Sequence, residues 1–411
     1  MIKYHRKFDP KDFDMKISKQ AKNAILIGFM CSFAYLAVYI SRNMLGAITP
    51  AMIEAGYSED YVGKISSFYL VFYAIGQLIN GSLGDRIKAK WMVSVGLLGA
   101  GIMSFVFLYN VSTPIAAMVA YGIAGFFLSM IYGPMTKMIS ENTELIYATR
   151  CSLGYTFASF LGSPAAGVLA AIFIWQGAFS VSSATLIIMA TICFVYFSFL
   201  ERRGIIRYGQ FKREKGGEKN IKVLFKRGII KFSIISIITG IVRTSVVFWL
   251  PTYLNQYLGF STKDSTLIFS VATFIISFTA FINIFIYEHT GRNMNKNLVL
   301  MFVSSAFFFA LTYFIRIPVL NIVTLILAIM SSNGAASTLW SIYCPSLKDT
   351  GMVSSVTGYL DFLSYTAAAA ANIIFANAAT SIGWGNLILV WLGIILCGVI
   401  LCLPHKKKQR T

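Results

Sequence analysis

The chain has 411 residues, of which 57% are hydrophobic and only 12% are charged. This composition, with a mean hydropathy of +0.70, excludes an ordinary soluble protein and is typical of an integral membrane protein with many spans. The formal net charge of +19 is distributed between apolar runs rather than in one binding surface, so we expect no nucleic-acid partner.

Twelve apolar segments follow one another along the chain. Each is close to or above the ~20 residues that a transmembrane helix needs. We therefore predict an all-α membrane protein with twelve transmembrane helices embedded in a lipid bilayer. The segments are residues 23–53, 61–84, 91–110, 113–136, 149–174, 177–200, 231–257, 265–287, 297–315, 318–342, 352–380 and 383–403.

One long polar connection divides these segments into two sets of six. We predict five parts: an N-terminal cytoplasmic segment (1–22), an N-terminal six-helix bundle (23–200), a cytoplasmic linker (201–230), a C-terminal six-helix bundle (231–403) and a cytoplasmic tail (404–411).

Basic residues are concentrated in the first 22 residues, in the linker and in the tail. The positive-inside rule places such segments in the cytoplasm. We therefore expect both termini to be cytoplasmic and the protein to be a multi-pass protein of the cell (inner) membrane. The first segment is charged and the apolar run after it is too long for a signal peptide, so we expect no cleavable signal.

The two halves repeat each other in sequence. Arg42 ends an apolar run and is followed eight positions later by Pro50, and Arg243 is followed eight positions later by Pro251. The motif Gly56-Tyr57-Ser58 then corresponds to Gly259-Phe260-Ser261. Parallel repeats of this kind are typical of one class of secondary transporters.

Arg42 and Arg243 both lie inside predicted membrane spans. An arginine there costs at least ~2.5–3.5 kcal/mol on insertion scales, so it marks a functional site by default. A guanidinium offers a planar fork of donors that fits phosphate. The pair therefore predicts a site for an anion, with one arginine from each half.

Polar stripes run along three of the predicted helices. Tyr35, Tyr39 and Arg42 share one face of the first helix, because residues four and seven apart are neighbours on a helix. These stripes predict a wet central cavity, although hydrogen bonds between helices are an alternative, and for the serine stripe both interpretations stay open. The other members are Tyr69, Tyr73 and Gln77 on the second helix and Ser152, Thr156, Ser159 and Ser163 on the fifth.

Asp361 is the only acid well inside a predicted span. It is a candidate to neutralise an arginine in the empty site or to carry a proton. The alternative is a local hydrogen bond with Ser364 or Tyr365. The six cysteines and three histidines show no metal-ligand spacing, so we predict no metal site and no cofactor.

Gly81-Ser82-Leu83-Gly84-Asp85-Arg86 follows the second predicted helix. It resembles the loop signature of the major facilitator superfamily, in which glycines permit close helix approach and an Asp-Arg pair biases a conformational equilibrium. Glu288 and Arg292 occupy the matching place in the second half. We interpret Gly81, Asp85, Arg86, Glu288 and Arg292 as gating residues; the alternative is a solvated charged loop.

The Tyr35-x3-Tyr39-x2-Arg42 and Arg243-x5-Trp249-Leu250-Pro251 motifs resemble those of the organophosphate:phosphate antiporters of the major facilitator superfamily. The resemblance implies the major facilitator fold and implies that Arg42 and Arg243 hold the substrate phosphate, with Tyr35, Tyr39 and Tyr73 in the cavity. Three positions depart from the family pattern by lacking its other basic groups. They are Asn43 after the first arginine, Gln77 on the second helix and Ser159 on the fifth.

The resemblance implies exchange of a phosphorylated organic anion for inorganic phosphate by alternating access. The alternative is an organic anion:proton symporter of the same superfamily, which Asp361 keeps open. A membrane enzyme is disfavoured because the sequence shows no nucleophile–base pair or metal cluster, and a receptor or scaffold is the remaining class. One chain contains both arginines, so we expect a functional monomer.

Overall fold

A computed structural model describes residues 19–84, 87–208, 221–347 and 353–403, without some side chains, among them several between residues 145 and 159. Regular structure in these ranges is helical throughout, which confirms the predicted all-α class. Residues 1–18 of the predicted N-terminal segment, residues 209–220 of the predicted linker and the predicted tail (404–411) lie outside the described residues.

Six helices form the first half of the chain. Their ends lie within six residues of the predicted spans. They are α1 (Lys19–Glu54), α2 (Glu59–Leu83), α3 (Ala89–Tyr109), α4 (Pro114–Asn142), α5 (Leu145–Ile172) and α6 (Trp175–Arg202).

Six more helices form the second half, after a short helix at Ile221–Lys226. Eleven of the twelve long helices are apolar enough to cross a membrane, and in α5 the described apolar part is the shorter Phe160–Ile172. The second six are α7 (Ile229–Gln256), α8 (Thr262–His289), α9 (Met294–Phe314), α10 (Pro318–Tyr343), α11 (Val353–Ser381) and α12 (Gly383–Cys402).

The repeated Gly-aromatic-Ser motif starts α2 and α8 in the same way. Gly56 and Gly259 both adopt positive φ, at 95° and 74°, where glycine has no Cβ to clash. Ser58 and Ser261 then cap the following helices by accepting a hydrogen bond from the backbone N–H three residues ahead. The repeat seen in the sequence is therefore a repeat of local structure.

We call the side on which α1 begins and α12 ends the terminal side, and the opposite side the distal side. The two halves meet on the distal side. Ser67 Oγ donates to Ala369 O at 2.6 Å, and Asn372 Nδ2 donates to Ser66 Oγ at 2.7 Å. Gln256 Nε2 donates to a Glu59 carboxylate oxygen at 2.8 Å.

The hydrogen bonds that join described residues of one half to described residues of the other all lie on this distal side. The fourth joins Thr262 to Glu54. Trp384 extends the contact by donating from Nε1 to Gln256 Oε1 at 2.7 Å. The distal side is therefore closed in this conformation.

Helices α7 and α11 pack closely on both sides of Arg243. Ser236 Oγ donates to Leu360 O at 2.7 Å, and Ser245 Oγ donates to Ala368 O at 2.8 Å. Between them, a Cβ on Gly240 would lie 2.8 Å from the Cα of Ser364 and closer still to its hydroxyl. This contact sets the distance between Arg243 and the residues of α11.

Replacing Gly240 with Val should destabilise the protein, because overpacking a close backbone contact costs about 1–3 kcal/mol. We expect a lower melting temperature in detergent by circular dichroism or tryptophan fluorescence. Gly393→Val is the matched control, since Gly393 is exposed within α12 and nothing lies within 4 Å of its Cβ position. Equal melting temperatures for the two variants would contradict this account of α7 and α11.

Candidate functional site

A cavity of about 540 Å³ lies between the two halves. Its volume is in the range of small-molecule sites, roughly 300–1,000 Å³. The side chain of Ser159 lies outside the described residues, but Ser163, one turn further along α5, lines the cavity. The other predicted substrate-binding residues all line it: Tyr35, Tyr39, Arg42, Asn43, Tyr73, Gln77, Arg243 and Asp361.

Arg42 is surrounded by aromatic rings. Its Cζ lies 5.5 Å from the ring centroid of Tyr39, 5.0 Å from that of Tyr73 and 4.7 Å from that of Tyr365. Tyr39 and Tyr35 are in edge contact at 4.9 Å, as their spacing on α1 predicts. Cation–π contacts of this kind stabilise a guanidinium by about 0.5–2 kcal/mol each. They partly offset its burial in a membrane interior.

Arg243 lies in a π-helical segment of α7, Ile241–Val246. Such segments place an extra residue in a turn and are frequent at functional sites. The guanidinium Cζ lies 5.6 Å from the ring of Tyr365. Its Nη2 atom is buried and has no hydrogen-bond partner. A buried, unpartnered donor on a cation is a position that an anion would satisfy.

Tyr365 links the two arginines. Its ring contacts both guanidiniums, and it also packs edge-on against Tyr73 of the other half at 5.1 Å. The described residues form no salt bridge to either arginine. Sequence reasoning treated Tyr365 only as a partner of Asp361. Tyr365 could have been predicted as a cavity residue from its spacing of four residues from Asp361, because this spacing places both on one face of α11.

Asp361 lines the same cavity as Arg42 and Arg243. In the described part of the chain it forms neither a salt bridge nor the local hydrogen bond with Ser364 or Tyr365 that the sequence left open. Its carboxylate is therefore not committed to a protein partner in this conformation.

The side chains of Asn43 and Gln77, two of the predicted substrate-binding residues, have different surroundings. Asn43 Nδ2 donates to the backbone oxygen of Tyr39 at 2.7 Å, so its amide nitrogen is held by its own helix. Gln77 is half-buried in the wall of the cavity.

Several residues that line the cavity were not predicted from the sequence to bind the substrate. Tyr69 was seen in a polar stripe, and its hydroxyl is buried without a hydrogen-bond partner. Asn333 Oδ1 and Ser337 Oγ on α10 are likewise buried without a partner. Unlike a charge in an apolar run, these residue types are common in ordinary membrane helices, so they carry no strong signal.

The predicted gating residues are only partly described. Asp85 and Arg86 lie outside the described residues. Nothing lies within 4 Å of a Cβ on Gly81, so close helix approach is not observed there, whereas a Cβ on Gly84 would lie 3.1 Å from Cγ of Pro134. Arg292 and Glu288 form an exposed ion pair at 3.8 Å, which contributes little to stability. Their gating role stays a prediction.

The comparisons with known proteins agree with this architecture. The Major Facilitator Superfamily model matches residues 31–372. The chain belongs to the Major Facilitator Superfamily. This assignment confirms the predicted fold of twelve transmembrane helices in two six-helix halves, and it places the chain among transporters rather than enzymes.

Two curated relatives span nearly the whole chain. The glycerol-3-phosphate transporter of Bacillus subtilis is 21% identical over 96% of this chain and 94% of its own length. The phosphoglycerate transporter protein of Salmonella typhimurium is 22% identical over 97% of this chain and 92% of its own length. These matches confirm the resemblance to the organophosphate transporters of the superfamily.

A solved structure shares the fold. It is the crystal structure of a bacterial homologue of the human lysosomal transporter Spinster, in an inward-facing and unoccupied conformation. The TM-score is 0.73, with 10% sequence identity over 94% of this chain and 97% of that one.

Replacing Tyr365 with Leu should destabilise the anion-free protein, because both guanidiniums lose a ring face worth about 0.5–2 kcal/mol each. Added phosphate should then raise the melting temperature more than in the wild type, since the anion replaces the lost stabilisation. Tyr365→Phe keeps the ring face and should behave like the wild type. A phosphate-induced shift that is the same in the Leu and Phe variants would contradict the role given to the ring.

Proposed function

We propose that this protein is a secondary transporter that exchanges a phosphorylated organic anion for inorganic phosphate. The observation that carries the proposal is the pair Arg42 and Arg243, one from each half, which face one cavity and contact one tyrosine ring. The names of the two full-length relatives support the same substrate class.

The arrangement explains why transport would be an exchange. Two guanidiniums in one cavity repel each other, and an anion between them relieves that repulsion. Bound anion would draw the halves together on the terminal side and lower the barrier to the outward conformation. The empty carrier keeps the repulsion and crosses poorly. The rigid halves would rock about the central site.

The positive-inside rule supports a cytoplasmic terminal side. The described conformation, closed on the distal side, then faces the cytoplasm of the cell. One chain contains both arginines and the whole described cavity, which supports a functional monomer.

An organic anion:proton symporter is the second candidate function. The uncommitted carboxylate of Asp361 in the cavity favours it, because such a group can take up and release a proton during transport. In the exchanger, Asp361 is instead a counter-ion that affects which anions bind.

Replacing Arg42 or Arg243 with Lys should abolish or nearly abolish phosphate exchange, because a point charge lacks the planar fork. The measurement is counterflow of labelled phosphate into proteoliposomes loaded with phosphate. Arg316→Lys is the control, since Arg316 lies between α9 and α10 outside the cavity lining. Normal counterflow in both cavity variants, with unchanged melting temperatures, would contradict phosphate binding by Arg42 and Arg243.

The driving force separates the two candidate functions. Exchange predicts that uptake requires anion inside the vesicles and does not follow an imposed pH gradient. Asp361→Asn should then retain phosphate exchange, with altered affinity and weaker discrimination between anions. Symport predicts that Asp361→Asn loses gradient-driven uptake but keeps counterflow. Wild-type uptake that follows the pH gradient without internal anion would overturn the choice of exchange.

A further inference from the structure

The charges that line the cavity do not match a simple phosphate ester. Among the described lining residues, only Arg42, Arg243 and Asp361 carry a formal charge. Two guanidiniums and one carboxylate give the site a net charge of +1. A phosphate monoester carries roughly −1.5 to −2 at pH 7. A ligand whose organic part is positively charged would balance the site more closely than one whose organic part is neutral or acidic.

The carboxylate lies on the terminal side of the arginines, where the organic part of a ligand would extend. Asp361 precedes Tyr365 by one helical turn on α11, which is about 6 Å along the helix axis. Because α11 runs from the terminal to the distal side, Asp361 lies nearer the open end of the cavity than the ring that contacts both guanidiniums. A phosphate at the arginines would leave its substituent beside this carboxylate.

An aromatic ring from the other half accompanies the carboxylate. Tyr132 lines the cavity and is 42% exposed. It lies in the second half of α4, which runs from the distal to the terminal side, so it is on the same side of the cavity as Asp361. Its ring lies 5.7 Å from that of Tyr35 and 5.8 Å from that of Tyr155. Ring faces attract ammonium groups, and aromatic cages recognise them. A carboxylate and tyrosine rings on the same side of one cavity are groups that bind a cation.

We propose that Asp361 and Tyr132 recognise an ammonium group on the organic part of the substrate, so that the preferred substrate is a zwitterionic amino organophosphate. This inference rests on the proposed function, since it requires the phosphate at Arg42 and Arg243. It assigns the two ends of the ligand to two parts of one cavity, with the phosphate on the distal side and the amine on the terminal side.

Competition against labelled phosphate in counterflow tests the inference with three probes that share a phosphate monoester. The probes differ in their organic part. O-phosphoethanolamine carries an ammonium group, glycerol 3-phosphate carries neutral hydroxyl groups, and 3-phosphoglycerate carries a carboxylate. We expect O-phosphoethanolamine to compete roughly 2- to 30-fold more strongly than glycerol 3-phosphate, the range expected for a cation on a ring face. We expect 3-phosphoglycerate to compete most weakly, because Asp361 repels its carboxylate.

Variants assign the preference to these residues. Asp361→Asn should reduce the factor by which O-phosphoethanolamine competes more strongly than glycerol 3-phosphate, and should improve competition by 3-phosphoglycerate. Tyr132→Leu should reduce the same factor, whereas Tyr132→Phe keeps the ring face and should preserve it. Asp60→Asn is the matched control, because Asp60 is an exposed acid at the distal end of α2 that pairs with Lys64.

The outcomes distinguish this inference from the function on which it rests. Normal phosphate counterflow with equal competition by O-phosphoethanolamine and glycerol 3-phosphate would overturn the amine site alone. Absence of any phosphate counterflow would overturn both. If Asp361→Asn does not fold, the wild-type ranking and the paired Tyr132 variants decide the question without it.

Discussion

The structure depends on two guanidiniums that lie in a membrane interior without a salt bridge among the described residues. Three tyrosine rings lie around Arg42 instead, and one of them, the ring of Tyr365, also contacts Arg243. A ring face stabilises a cation without neutralising it, so Arg42 and Arg243 stay available to a ligand. A carboxylate in direct contact would satisfy the same guanidiniums and compete with an anion. Aromatic stabilisation thus makes a stable empty site compatible with anion binding.

The rest of the fold places these groups. The π-helical segment of α7 carries Arg243, and serine hydroxyls on either side of it bind carbonyl oxygens of α11. Gly240 allows the two helices to approach. On the distal side, hydrogen bonds such as that from Asn372 to Ser66 hold the halves together, and no salt bridge joins described residues of the two halves. Hydrogen bonds can be exchanged for bonds to water, which suits an interface that must open during transport.

The sequence predicts the features that have a strong one-dimensional signal. Apolar runs of sufficient length predict the helices, an arginine inside such a run predicts a functional group, and the spacing of Tyr35, Tyr39 and Arg42 predicts a shared face. The link through Tyr365 was missed because it joins α1, α7 and α11, and no local pattern encodes such a contact. The π-helical segment around Arg243 and the closed distal side also depend on packing between helices. The roles of Asp85 and Arg86 remain predictions, because these residues lie outside the described part of the chain.

The central claim is that Arg42 and Arg243 bind one anion together. A double-mutant cycle with Arg42→Lys, Arg243→Lys and the double variant, with phosphate affinity measured by isothermal titration calorimetry, tests it most directly. If one phosphate bridges both forks, either single variant should lose most of the affinity, and the double variant should lose little more. Losses in free energy that simply add, or that occur in only one of the single variants, would contradict a shared site.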